Sequence, residues 1–319
     1  MPCAPHRAAA APRAAPARPI AAGERKTRCV RSWRTYPPHL SGLRDGCVRR
    51  ARCSRRSERI LHDGSAALAS IAALRRGDGQ RLRRRRIVSN RTCIVTGGSR
   101  GIGLATAMRF ARRGDNVVIA ARNAAQLEAA SREIQNVGAA CEAVPVDVST
   151  SAGAQELVEV ALGRFERVDV LVNNAGAAPC KPLSDFTDDD FRQAVDTNIG
   201  GVFFATRAVW PAMRRQGAGV IVSVSSMASF DPFPGLSVYG GAKAWVNVFT
   251  RAAAAEGKPL GIRVFAVAPG AVETRMLREA FPDFPAERTL APDAVAAVIE
   301  SLCEDAFADC VGQTITVAR

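Results

Sequence analysis

Tyr239 and Lys243 stand four residues apart, the spacing that projects two side chains from one face of a helix. A free phenol, with a pKa of about 10, is a poor base near neutrality. A lysine charge 4 Å away favours the phenolate by about 4 kcal/mol at an effective dielectric of 20. That is enough to make a tyrosine a usable general acid or base. A second chemistry is written upstream, where the β-branched run Thr92-Cys-Ile-Val-Thr96 leads directly into Gly97-Gly98-Ser99-Arg100-Gly101-Ile102-Gly103. A helical pattern follows, from Leu104 to Arg113. Strand, glycine turn and helix in that order let backbone N–H groups approach a pyrophosphate, which sits on the positive end of the helix.

The elements that must hold these groups recur along the chain. Asn116–Ala121 is a second strand, Cys141–Asp147 a third, residues 151–167 a helix, and Val168–Val172 a fourth strand. Repeated β-α units of this length predict the α/β class, with a doubly wound parallel sheet covered by helices on both faces. The ligand of such a sheet lies at the carboxyl ends of its strands. An NAD-selective site usually ends its second strand in Asp or Glu, which grips the ribose 2′-hydroxyl. Here that position is Ala121, 18 residues past Gly103, and Arg122 follows it. No carboxylate repels a 2′-phosphate, Arg122 offers a guanidinium for bidentate binding, and Arg100 in the glycine turn offers another. NADP(H) is therefore the expected cofactor.

With these landmarks in order, the chain from about Thr92 to Val317 resembles the short-chain dehydrogenase/reductase family, in particular its NADP-dependent 3-oxoacyl-[acyl-carrier-protein] reductase-like members. Thr96-Gly97-x-x-x-Gly101-x-Gly103 matches the family's glycine motif, Asp147-Val148 its adenine-contacting pair, and Asn173-Asn174-Ala175-Gly176 the motif closing the fourth strand. Asn198 falls where the family keeps a structural and catalytic asparagine. Ser225-Ser226 ends a fifth strand, Val220–Val224, and Tyr239-Gly-Gly-Ala-Lys243 matches Tyr-x-x-x-Lys, with Ser226 at 13 residues upstream. Pro269, Gly270, Val272 and Thr274 follow a sixth strand, where the family binds the nicotinamide end.

The resemblance implies a Rossmann fold, an oxidoreductase and a four-residue catalytic set. Ser226 hydrogen-bonds the substrate carbonyl oxygen, Tyr239 protonates it as hydride arrives, Lys243 also holds the nicotinamide ribose, and Asn198 carries a water of the proton relay. Cofactor contacts are implied for Gly97, Ser99, Arg100, Gly101, Ile102, Gly103, Arg122, Asp147, Val148, Asn174, Ala175, Gly176, Tyr239, Lys243, Pro269, Gly270, Val272 and Thr274. The resemblance also implies a homodimer or homotetramer built on the helices that carry Asn198 and Tyr239. Two positions depart from the family pattern: Ala268 where Asn is frequent, and Val317-Ala-Arg319 where Asp-Gly-Gly is frequent.

The segment from Glu273 to Pro292, with Met276, Leu277, Phe281 and Phe284, is the expected substrate lid, and Phe230 and Phe233 are its expected opposite wall. An apolar pocket implies a substrate without a required charge, and 3-oxoacyl thioesters, ketones, aldehydes, quinones and steroids all remain open. Gly240 and Gly241 each cost about 1 kcal/mol in a helix relative to alanine, which predicts close backbone approach there. A coenzyme-binding regulator that has lost catalysis is the rival reading, and the intact Asn198, Ser226, Tyr239 and Lys243 argue against it.

Charge divides the 319 residues unevenly. Of the 44 Lys and Arg, 23 lie in residues 1–91 with only 5 Asp and Glu, so that segment carries +18 and the remainder −4. Its Ala/Pro/Arg tracts and absence of periodicity predict disorder through residue 90, with one Rossmann domain over 91–319. Three readings of that extension stay open: residues upstream of the true start of translation, a transit peptide, or an arm that binds nucleic acid through phosphates. The acidic remainder speaks against nucleic acid as the main partner. The nine cysteines include no Cys-x-x-Cys and no metal-ligand pattern, which predicts reduced thiols and a cytoplasmic location, or an organellar one if a transit peptide is present. No run approaches the roughly 18 apolar residues that span a bilayer, so no membrane partner is expected.

Overall fold

The computed structural model describes residues 91–319. The expectations placed on residues 1–90, including Cys3, Cys29, Cys47 and Cys53, lie outside the described residues. The first strand, β1 (Thr92–Thr96), is buried at every position, as a strand covered on both faces must be. Helix α1 (Gly101–Arg113) returns to β2 (Asn116–Ala120), and α2 (Ala124–Asn136) returns to β3 (Cys141–Val144). Then follow α3 (Ser151–Phe165), β4 (Val170–Asn173), α4 (Asp188–Val195), α5 (Gly201–Gln216), β5 (Gly219–Val224), α6 (Ser237–Gly257), β6 (Ile262–Pro269), α7 (Arg275–Ala280), α8 (Pro292–Leu302) and β7 (Thr314–Val317). The strands form one seven-stranded sheet in the order β3-β2-β1-β4-β5-β6-β7, and every pairing is parallel. The order reverses between β1 and β4, which opens a crevice at their carboxyl ends.

Alternation along the strands divides the core into two layers. Cys93 and Val95 face Phe110 of α1, Leu127 and Ile134 of α2, and Val295 and Ile299 of α8. Ile94 faces the other way, toward Leu157 and Val158 of α3, Val209 and Met213 of α5, and Ala253 and Ala254 of α6. The doubly wound Rossmann architecture expected from the sequence is the one observed. The amino edge of the sheet is pinned by charge. The Arg91 guanidinium binds both oxygens of buried Asp115, and the Thr92 amide donates to Asp169 at 2.8 Å.

Three of the boundaries that differ from the sequence expectation have a local cause. α1 begins at Gly101 rather than Leu104, because the Leu104 amide already bonds the Arg100 carbonyl at 3.2 Å and closes the first turn over the end of the glycine motif. β3 stops at Val144, just before Pro145, which has no N–H to offer the ladder. β4 begins at Val170, since the backbone of Val168 is satisfied by the Gln216 side chain instead of a strand neighbour. The five cysteines among the described residues are free thiols. No helix among the described residues is long and apolar enough to cross a membrane.

Candidate active site

The crevice is built around Thr96, the last residue of β1. Its hydroxyl donates to the Val172 carbonyl of β4 at 3.3 Å and accepts from the Asn174 and Ala175 amides at 3.0 and 3.1 Å. The Asn174 side-chain amide returns across the gap to the carbonyls of Thr96 and Gly97, at 2.9 and 3.1 Å. The two strands that face across the crevice are thus held in register at their ends.

The glycine turn presses against this suture. A Cβ on Gly97, which sits at φ +64°, would lie 2.9 Å from Asn174 Nδ2, and one on Gly103 would lie 2.2 Å from the Gly97 carbonyl oxygen. Neither position has room for a side chain. Gly101, at φ +56°, faces only the Thr274 methyl, at 3.4 Å. α1 has no acidic residue in its first turn and no side-chain cap, so its amide N–H groups and its dipole are left for an anion. Ser99 and Ile102 are half-buried in the turn. Arg100 and Arg122 are exposed, and the side chain of neither makes a hydrogen bond or ion pair with the described residues. Val148 is buried, whereas Asp147 is exposed and its carboxylate accepts from the Ser149 amide at 3.0 Å. Gly270 continues from Pro269 at the end of β6 and pairs with the Val317 carbonyl at 2.9 Å, Val272 is buried, and the Thr274 hydroxyl caps α7 through the Leu277 amide.

Across the crevice, β5 and α6 bring the second group together. The Tyr239 hydroxyl approaches the Ser226 side chain, and Lys243 Nζ lies 5.6 Å from the centre of the Tyr239 ring. Lys243 is 3% exposed and donates to the Val224 carbonyl at 2.8 Å. Asn198 lies in a five-residue π-helix, Asp196–Gly200, between α4 and α5. Its side-chain amide donates to the Ala177 and Ala194 carbonyls at 2.7 and 2.8 Å. Its Oδ1 is buried and accepts no hydrogen bond among the described residues. Gly176 keeps open the space between this oxygen and Lys243: a Cβ there would lie 3.1 Å from Asn198 Oδ1 and 3.6 Å from Lys243 Nζ.

The electrostatics depart from the sequence argument in one respect. Burial pushes the Tyr239 phenol above its ordinary value, and the neighbouring Ser226 side chain only partly offsets this. Lys243, buried without a carboxylate partner, is itself pushed down to about 8. The expected depression of the phenol by the lysine charge does not emerge, and burial disfavours the charged form of each group. A phenol shifted upward holds its proton through neutrality, which suits a proton donor.

Four polar residues around this group were given no role by sequence reasoning. Besides Thr96, the Ser225 hydroxyl donates to the Lys243 carbonyl at 3.1 Å and ties α6 to β5. Asn247 Nδ2 donates to Ser229 Oγ at 2.8 Å, and Ser229 donates to the Ser226 carbonyl at 2.6 Å, so α6 also braces the turn that carries Ser226. A signal was present, since Tyr239, Lys243 and Asn247 continue one spacing of four. The close approach expected at the paired glycines is real at Gly240, where a Cβ would lie 2.6 Å from the Ala228 carbonyl oxygen. At Gly241 nothing lies within 4 Å, so that position is not explained by packing.

A doubly wound sheet with a glycine turn on one side of its crevice and a Ser–Tyr–Lys cluster on the other defines a Rossmann-fold oxidoreductase working with a pyridine nucleotide. The family model described as short chain dehydrogenase matches residues 91–284, and the chain belongs to that family. It is 37% identical over 231 residues to a 3-oxoacyl-[acyl-carrier-protein] reductase of Synechocystis sp., across 70% of this chain and 94% of that protein. It is 35% identical over 242 residues to 3beta-hydroxysteroid dehydrogenase 1 of Eggerthella lenta, across 72% and 93%. Among solved structures, the 3-ketoacyl-(acyl-carrier-protein) reductase of Brucella melitensis complexed with NADH superimposes with a TM-score of 0.66 at 34% identity, over 71% of this chain and 96% of that one.

Replacing Thr96 by valine keeps the shape but leaves the Asn174 and Ala175 amides without their acceptor. At about 1–3 kcal/mol for each orphaned donor, Thr96→Val should destabilise the protein by about 2–6 kcal/mol, measured by urea unfolding. A loss below about 1 kcal/mol would show that the suture is not structural.

Proposed function

We propose that the protein is an NADPH-dependent carbonyl reductase in which Ser226, Tyr239, Lys243 and Asn198 form the catalytic set. The observation that carries this reading is the convergence of the Ser226 and Tyr239 hydroxyls beside a buried lysine. Burying a lysine away from any carboxylate is costly, and a role in proton transfer beside the two hydroxyls accounts for that cost.

The chain's residues fit a dinucleotide. The two packed glycines bring backbone against the turn, α1 offers its uncapped amino end, Gly176 leaves room beside Lys243, and Asn198 holds an unused acceptor. Gly97, Ser99, Gly101, Ile102 and Gly103 would cradle the pyrophosphate, Asp147 and Val148 the adenine, and Asn174, Ala175, Gly176, Pro269, Gly270, Val272 and Thr274 the nicotinamide half. The free side chains of Arg100 and Arg122 favour a 2′-phosphate and therefore NADP(H) over NAD(H). When bound, a reduced nicotinamide supplies the hydride.

The protein's part is to place and protonate. Ser226 orients the carbonyl oxygen of the substrate by a hydrogen bond. Tyr239 gives its Oη proton to that oxygen as charge develops there. Lys243 stabilises the resulting phenolate and binds ribose hydroxyls, while Asn198 Oδ1 and Lys243 Nζ between them hold a water through which the proton is restored. Phe203 and Val248, 38% and 57% exposed on α5 and α6, support a homodimer or homotetramer formed on those helices. The free thiols support a reducing, cytoplasmic setting.

Tyr239→Phe should lower carbonyl reduction by about 10²–10⁴-fold or more while NADPH binding, followed by its fluorescence, changes little; retained turnover removes Tyr239 from its role. Replacing Arg100 and Arg122 together by alanine should weaken NADPH by about 10–100-fold and leave NADH unaffected, and equal loss of both coenzymes would sink the assignment of NADP(H). Lys243 is charged below its pKa of about 8 and neutral above it. The kcat/KM for reduction should therefore fall as pH rises through about 8, with the phenol still protonated there. A profile flat to pH 10 would argue against a charged Lys243 in catalysis.

A further inference from the structure

Three segments that follow strand ends meet beside Ser226 and Tyr239. The one after β4 contacts the one after β5 where the Lys181 amide donates to the Gly235 carbonyl at 3.2 Å and Cys180 Sγ packs against Gly235. The segment after β5 lies on α6, with Pro232 and the Ala228 carbonyl against Gly240, next to Tyr239. The segment after β6 reaches it through Phe281, whose ring meets Phe233 edge to face, 6.2 Å between centroids and 64° between planes. Phe233 is 62% exposed and Phe230 56% exposed. The entrance to the site therefore has an aromatic side.

Phe281 is held by its own amide, which donates to the Leu277 carbonyl at 2.7 Å, and by a guanidinium that brackets it. Arg278 binds both carboxylate oxygens of Glu273 through Nε and Nη2, and its Nη1 donates to the Phe284 carbonyl at 2.6 Å and the Pro282 carbonyl at 3.3 Å. Glu273 is itself fixed through its backbone to Leu290 and through its carboxylate to Thr289. The clamp thus joins both arms of the segment and brackets Phe281. Only a planar group with a fork of donors can hold a carboxylate and two carbonyls at once.

The charges around this entrance are divided by sign. Its cations are engaged: Lys181 with Asp190, Arg275 with Glu279, Arg278 with Glu273, and Arg288 over the Phe284 ring. The carboxylates of Asp231, Asp283 and Glu287 make no ion pair among the described residues. An anionic substrate would meet unpaired carboxylates, and the cations without a carboxylate partner, Arg288, Arg319 and Lys243, are held against the Phe284 ring, the Glu287 carbonyl and the Val224 carbonyl, while an apolar body would find aromatic faces.

We infer that Arg278 is a positioning residue that sets Phe281 against Phe233, and that the resulting aromatic wall selects an uncharged, apolar carbonyl compound over an anionic one. This rests on the reductase reading above and narrows its substrate class.

The test uses the full chain saturated with NADP+, titrated calorimetrically with 2-acetylnaphthalene and with 6-acetyl-2-naphthoate, the same ketone bearing a carboxylate. The neutral ketone should bind at least about tenfold more tightly. Arg278→Met should weaken it about fivefold or more and raise KM far more than it lowers kcat, with NADPH affinity kept. Arg278→Lys, which keeps the charge but cannot span the carboxylate and both carbonyls, should fall between. Phe281→Ala should reproduce the Arg278→Met loss without touching the clamp. Equal or tighter binding of the naphthoate, or no binding of the neutral ketone, overturns the selectivity. Unchanged affinity and KM in both Arg278→Met and Phe281→Ala overturns the role of the clamp. Failure of the wild-type chain to bind either NADP+ or NADPH overturns the reductase reading itself, and this inference with it.

Discussion

A parallel sheet leaves its strand ends as a row of loose carbonyls and amides, and a site assembled there is only as rigid as their spacing. At the reversal between β1 and β4 the spacing is set by one hydroxyl. Thr96 satisfies a carbonyl and two amides of the opposite strand, and Asn174 answers from the other side. The glycine turn is packed onto this junction at distances no side chain would permit. Gly176, two residues beyond Asn174, in turn sets the gap between Asn198 and Lys243. Both halves of the site therefore take their positions from the same few ångströms of backbone.

On the β5–α6 side the fold trades stability for reactivity. Lys243 is placed where its charge is poorly solvated, and α6 compensates by tying itself to β5 through Ser225 and to the following turn through Asn247 and Ser229. These contacts fix the direction of a side chain that would otherwise leave for solvent. Strained or costly groups persist where the surrounding structure over-determines them, and this corner of the molecule fits that rule.

What could be read from the sequence is what depends on short-range pattern. β1 and α1 announce themselves by an apolar run, a glycine turn and a helical period, and Tyr239 and Lys243 by a spacing of four. Boundaries were less legible where a side chain replaced a backbone partner, as Gln216 does for Val168. The electrostatics were misjudged because a pairwise charge argument carries no burial term, and here desolvation dominates both Tyr239 and Lys243. The Arg278 clamp was invisible because it depends on where the carbonyls of Pro282 and Phe284 turn, which residue type does not encode. Arg100 and Arg122 were legible for the opposite reason: they are exposed side chains that need no packing partner to stand where the chain puts them.

The π-helical turn at Asp196–Gly200 has a consequence for how this chain can change over time. A π turn amounts to one residue more than the regular helix needs, carried within the run from α4 into α5. Losing that residue would let the backbone relax into ordinary α-helix, a locally favourable event. The faces of α4 and α5 would keep their directions, because the wide turn absorbs the extra residue locally, but the bulge that presents Asn198 beside Gly176 and Lys243 would be gone. A single-codon deletion here would thus improve the helix while dismantling the site, so the irregularity can endure only in lineages where the site is in use.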